Sequence, residues 1–224
     1  MKPLGTLAVA GAIVASTYFA IAAIADHKAD VLAGGESHTL DRTHEEEWRA
    51  FSSLLGQLRA WGEDDLATSL AELQHEGHLR VAPRLGGDRS AIYVDSLGLV
   101  RRIYVRRQEL LARTLPFPEL DVPDSAQRTF ATIRLAGTLY HELQHYEGLE
   151  DERATYEREI GWYEALGEAA HGEPEGERRR WFEWAVESAL ASAEAARDKA
   201  TGAEGHAVRT TPRATGAAGS ALAR

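Results

Sequence analysis

The chain has 224 residues, with 35 Asp and Glu against 25 Lys and Arg, a formal net charge of −10 and no cysteine. That length suits one domain with a proper core, and the acid excess argues against a nucleic-acid partner, because its arginines are interleaved with glutamates rather than gathered on a basic face. Without thiols there are no disulfides, thiol nucleophiles, zinc ribbons or iron–sulfur ligands, so any metal must rest on His and carboxylate side chains.

From Leu4 to Ala25 the run LGTLAVAGAIVASTYFAIAAIA carries no charge. It is about as long as a bilayer-spanning helix, and Ala23-Ile24-Ala25 also reads as a small-residue cleavage site. Residues 1–25 are therefore expected to be a membrane anchor or a cleaved signal, and both readings put the remainder outside the cytoplasm, in the cell envelope. Residues 26–42 are polar, contain Gly34 and Gly35 and show no periodicity, which suits a tether.

The domain is expected over 43–200. Thr43-His44-Glu45-Glu46 has the form of a capping box, and Trp48, Phe51, Leu55 and Leu58 follow at helical spacing. A second helix is expected from Asp64 or Asp65 to about His75. Then the pattern changes to short apolar runs at 79–85, 91–94 and 99–105, separated by Gly- and Asp-containing turns, which predicts strands in a meander. Pro116, Pro118 and Pro123 mark an extended connection. Helices are expected at about 125–147, 151–166 and 177–199, the first stopped by Gly148, and the Ala-, Gly- and Arg-rich tail 201–224 is expected to be disordered. The fold class is α+β: mostly helical, with a small antiparallel or mixed sheet beside the 125–147 helix.

That helix carries His141-Glu142-Leu143-Gln144-His145. Two histidines four apart leave the same helix face one turn apart and can share one ion, while the intervening Glu142 points toward the water such an ion would activate. This is the H-E-x-x-H arrangement of zinc hydrolases, with Glu142 as general base. A third ligand must come from beyond Gly148. On one unbroken helix Glu152 would lie about 10 Å further along the axis than His145, so a turn at Gly148 has to fold the next helix back. Given that turn Glu152 fits best; Asp151, Glu157 and Glu164 are the other candidates, and Asp151 competes with its own reading as a helix N-cap.

Over 141–163, HELQHYEGLEDERATYEREIGWY, the chain resembles the H-E-x-x-H zinc metallopeptidases, and among them small gluzincin-like domains whose third ligand is a Glu on the following helix. The resemblance implies Zn2+ held by His141, His145 and Glu152, and a peptide or protein substrate held in extended form along a sheet edge, here 91–94 or 99–105. Asp151 would complete a metzincin-like pattern, but the methionine those enzymes place beneath the metal is missing, since the only methionine is Met1. The competing reading is a non-catalytic or degenerate zinc-binding domain acting as an interaction module. Tyr146, Tyr156, Tyr163 and His171 are candidates for polarising a carbonyl, against their reading as packing or solvated side chains. Trp162, Trp181 and Trp184 read as core, and His44, His75 and His78 as surface residues.

Overall fold

The computed structural model describes residues 4–86, 89–112, 123–170 and 176–209. Among them are seven helices and a four-stranded mixed sheet, an α+β arrangement. In chain order they are α1 (Leu4–Leu32), β1 (His38–Thr39), α2 (Glu45–Ala60), α3 (Asp64–His75), β2 (Leu79–Ala82), β3 (Ala91–Ser96), β4 (Val100–Arg106), α4 (Arg107–Ala112), α5 (Asp124–Tyr146), α6 (Glu152–Ala170) and α7 (Glu177–Arg209). The strands run in the order β1-β2-β4-β3.

Alternation along β4 divides the core. Ile103 and Val105 face one way and join Leu54, Leu58, Leu70, Ile133 and Leu139 in the main helical core, each of these buried. Burying a side chain of this size stabilises the fold by about 2 kcal/mol relative to exposure. Tyr104, between them, faces the other way and packs with Ala29, Ala33 and Val94 beneath the end of α1. The sheet thus has helices on both faces.

That second face corrects the expectation of a tether at 26–42. The helix begun at Leu4 runs on to Leu32, and Ala25, Ala29 and Ala33, four apart, are buried where α1 meets the sheet. Asp26 pairs with Arg102. Asp30 accepts hydrogen bonds from Tyr104 Oη at 2.9 Å and Ser37 Oγ at 2.7 Å. Burial pushes the Tyr104 hydroxyl up to about 12, which keeps it a donor to Asp30. β1 then joins the sheet antiparallel to β2. Among the described residues no helix is long and apolar enough to cross a membrane.

Three further expectations change. Thr43 does not cap α2: its hydroxyl and N–H are both engaged by Asp41 Oδ1, and the helix begins after His44 without a side-chain cap. The strands do not form a meander, because β2 pairs in parallel with β4, while β3 and β4 alone form an antiparallel hairpin. α7 continues to Arg209 rather than ending near Lys199. Of the expected disordered tail 201–224, residues 201–209 are therefore helical; 210–224, Pro116, Pro118 and His171 lie outside the described residues.

Candidate metal centre

The turn after α5 folds the chain back by a Schellman motif. Gly148 adopts φ 104°, its N–H donates to the His145 carbonyl at 3.0 Å, and the Leu149 N–H donates to the Gln144 carbonyl at 2.9 Å. Asp151 caps the next helix, its Oδ1 accepting from the Ala154 N–H at 2.8 Å. Glu152, the first residue of α6, is thereby delivered to the histidines.

The donors converge. His141 Nε2 and His145 Nε2 are 3.2 Å apart, and Glu152 places Oε2 at 3.3 Å from the first and Oε1 at 3.6 Å from the second. Two nitrogens bound tetrahedrally to one zinc at ~2.05 Å would sit about 3.3 Å apart. The ring centroids are 4.9 Å apart at 73°, close to the separation of about 5 Å that two such ligands require.

The tautomers follow from the other ring nitrogens. His141 Nδ1 lies 3.1 Å from Glu159 Oε2, and His145 Nδ1 lies 2.6 Å from the Leu149 carbonyl oxygen. A carbonyl cannot donate, nor can an ionised carboxylate, so each ring when neutral carries its proton on Nδ1 and turns its Nε2 lone pair to the shared point. Two lone pairs 3.2 Å apart call for a cation, whether proton or metal, between them. The electrostatics agree. Burial pushes His141 down, but the carboxylates of Glu152 and Glu159 outweigh it and raise it to about 9. Glu152 raises His145. The two imidazoles hold Glu152 well below the usual carboxylate range.

The remaining third-ligand candidates lie elsewhere. Asp151 is the N-cap, Glu157 is ion-paired with Arg153 at 2.9 Å, and Glu164 faces solvent. Glu142 is half-buried between α5 and the sheet, where its Oε2 accepts the Tyr93 N–H at 2.6 Å, and desolvation there raises its pKa. That bond shows which way the strand faces. Ser90 pairs with β4 by accepting from the Arg106 N–H, so Ala91, Tyr93 and Asp95 turn their peptide groups away from β4. β3 is an edge strand, β1 being the other; β4, over which 99–105 was an alternative substrate edge, is paired on both sides.

A cleft of about 1100 Å³ opens over the centre, bounded by β3, by Tyr156 of α6 and by Ala189 and Ala193 of α7. Of the tyrosines singled out in the sequence, Tyr146 is hydrogen-bonded to His78 at 2.7 Å and Tyr163 is buried against Glu159. Tyr156 packs its ring 4.5 Å from that of His141 and lines the cleft, and its hydroxyl has no hydrogen-bond partner among the described residues. Trp162 is core, as expected, with its Nε1 donating to Glu63 at 2.8 Å; Trp181 and Trp184 are only partly buried.

Sequence reasoning missed Glu159, although it stands seven residues after Glu152 and so shares its helix face. Beneath it, Tyr163 occupies the space left by Gly137: a Cβ there would lie 1.9 Å from the tyrosine oxygen. Also missed was a second group. His38, His44 and Glu47 bring three potential donor atoms together, so His44, although exposed, is not an isolated surface histidine.

Compared with known proteins, the chain matches no family model, no curated protein and no solved structure.

Proposed function

We propose that the domain is a zinc-dependent hydrolase, specifically a peptidase. The observation that carries this is the pair of Nε2 atoms 3.2 Å apart, each ring held at Nδ1 by an acceptor and the pair completed by Glu152, at the floor of a cleft beside an open sheet edge. His141, His145 and Glu152 would hold the ion; zinc there supplies Lewis acidity and makes water nucleophilic near neutral pH.

This chain's own groups do the rest. An extended peptide adds to β3 through the outward backbone groups of Ala91 and the Tyr93 carbonyl, which places its scissile carbonyl over the centre. Glu142 takes a proton from the attacking water as the C–O bond forms and passes it to the departing amine as the C–N bond breaks. The Tyr156 hydroxyl donates to the carbonyl oxygen as negative charge develops on it.

A second reading, a non-catalytic zinc-binding interaction domain, is favoured by one contact. Glu142 already accepts the Tyr93 N–H at 2.6 Å, a bond that ties α5 to β3 without any chemistry. The test is zinc content and peptide hydrolysis by the purified full chain, against Glu142→Gln. About one zinc per chain in both, with turnover only in the wild type, supports the peptidase. Zinc without turnover in either supports the second reading, and no zinc removes both.

Residues 4–25 supply a location for this reading. Their charge-free run, and the exposure of Tyr18, Phe19, Ile21 and Ile24 on successive faces of α1, support attachment to a membrane with the domain outside the cytoplasm. Deleting residues 4–24 is expected to release the protein from the membrane fraction; an intact chain found in the soluble cytoplasmic fraction would remove this part.

A further inference from the structure

One imidazole of the centre is gripped from both sides by a single helix. α6 presents Glu152 to His141 Nε2 and, two turns later, Glu159 to Nδ1 of the same ring. Glu159 is only 6% exposed and its other oxygen accepts from the buried Tyr163 hydroxyl at 3.3 Å. Tyr163 reaches that position because residue 137 has no side chain. His145 is held differently, by the backbone carbonyl of Leu149.

We propose that Glu159, braced by Tyr163, is the positioning residue that makes His141 the stronger of the two histidine ligands. This rests on the zinc reading above and goes beyond its three ligands. A carboxylate accepting the Nδ1 proton fixes the tautomer, aims the ring and increases the electron density at Nε2, and a neutral carbonyl does this less. The two histidines, equivalent in the sequence motif, are therefore unequal in the fold. The same arrangement gives α6 two attachments to one ring, so a shift of that helix disturbs the metal and the orientation of its ligand together.

The test uses the full chain with zinc alone, read by equilibrium metal competition and by imidazole 1H–15N NMR. Glu159→Gln is expected to weaken zinc binding about ten- to hundredfold, the usual effect of removing such a partner, with stoichiometry kept at one. It should move the His141 Hδ1 resonance and leave that of His145 in place. Glu159→Asp should recover part of the affinity, and Tyr163→Phe should weaken binding by less than Glu159→Gln. Unchanged zinc affinity in Glu159→Gln overturns the inference while leaving the metal centre standing. Equal displacement of both histidine resonances together with a large fall in melting temperature also overturns it, because that is the behaviour of a merely structural residue. A wild-type chain that takes up no zinc fails at the earlier step, and the inference falls with the metal reading.

Discussion

Two groups in this protein have the same composition, two histidines and a glutamate, and different geometry. In the first, His141 and His145 hold their rings 4.9 Å apart and edge-on, with Nδ1 hydrogens committed to fixed acceptors. In the second, His38 and His44 stack at 3.8 Å with only 29° between the ring planes. Stacked imidazoles that close cannot spread their nitrogens around a tetrahedral ion. The carboxylate differs as well. Glu47 is buried, but Arg107 binds its Oε1 and leaves only Oε2 to the histidines, at 3.0 Å from His38 and 3.6 Å from His44. A guanidinium supplies the positive charge that a metal would otherwise bring. Proximity of donor types is thus a poor guide, and what lies behind each donor decides.

The largest effect expected from this contrast is on zinc itself. His141→Ala or Glu152→Ala should weaken zinc binding by at least about a hundredfold, since each removes a ligand, while His38→Ala and His44→Ala should leave stoichiometry and affinity unchanged in the same competition assay. Zinc lost on mutating the second pair would reverse the comparison.

Next in size is catalysis. Glu142→Gln should keep the metal and lower peptide turnover on the order of a hundredfold or more. Activity that survives this change would move the base elsewhere in the cleft.

The second group should report on stability and pH instead. Burial pushes the Glu47 carboxyl up, but its hydrogen bonds to Arg107 and His38 outweigh this and hold it below the ordinary glutamate value. A lowered folded-state pKa means that its contribution is fully present above the unfolded value and is lost as pH falls through the folded one. Glu47→Gln should therefore destabilise the fold by about 2 kcal/mol at neutral pH, the scale of a charged hydrogen bond. The difference from wild type should shrink below about pH 4 in denaturant titrations. A gap independent of pH would mean that packing, not charge, is what Glu47 provides.

The smallest effect separates ligand from cap. Asp151→Ala should cost about 1 kcal/mol of stability and leave zinc affinity within a few-fold of wild type. A loss as large as that of Glu152→Ala would make Asp151 a ligand.

How much of this was legible in the sequence varied with distance along the chain. The two histidines, the Gly148 turn and the arrival of Glu152 are all written within a dozen residues, where helical period and turn chemistry suffice. The parallel pairing of β2 with β4 was not, because nothing local states which strand a four-residue run will choose. Residues 26–36 looked like solvated linker because Asp26 and Asp30 find Arg102 and Tyr104 more than seventy positions away. The Ala25, Ala29 and Ala33 spacing was a usable signal, hidden at the end of a longer apolar run. His38 was missed for the same reason as β1, whose two residues are too short to show alternation.

Gly137 has a consequence for how this sequence is free to drift. Since any Cβ there would overlap the Tyr163 ring, positions 137 and 163 form one size-matched pair on different helices. Gly137→Ala alone should be destabilising by about 1–3 kcal/mol, the usual cost of overpacking a core. The tyrosine would have to shrink before the glycine could grow. Substitution at these sites is therefore ordered: among descendants of this chain, a residue larger than glycine at 137 is expected only on backgrounds where 163 has already become smaller, and those backgrounds will have given up the hydroxyl that meets Glu159.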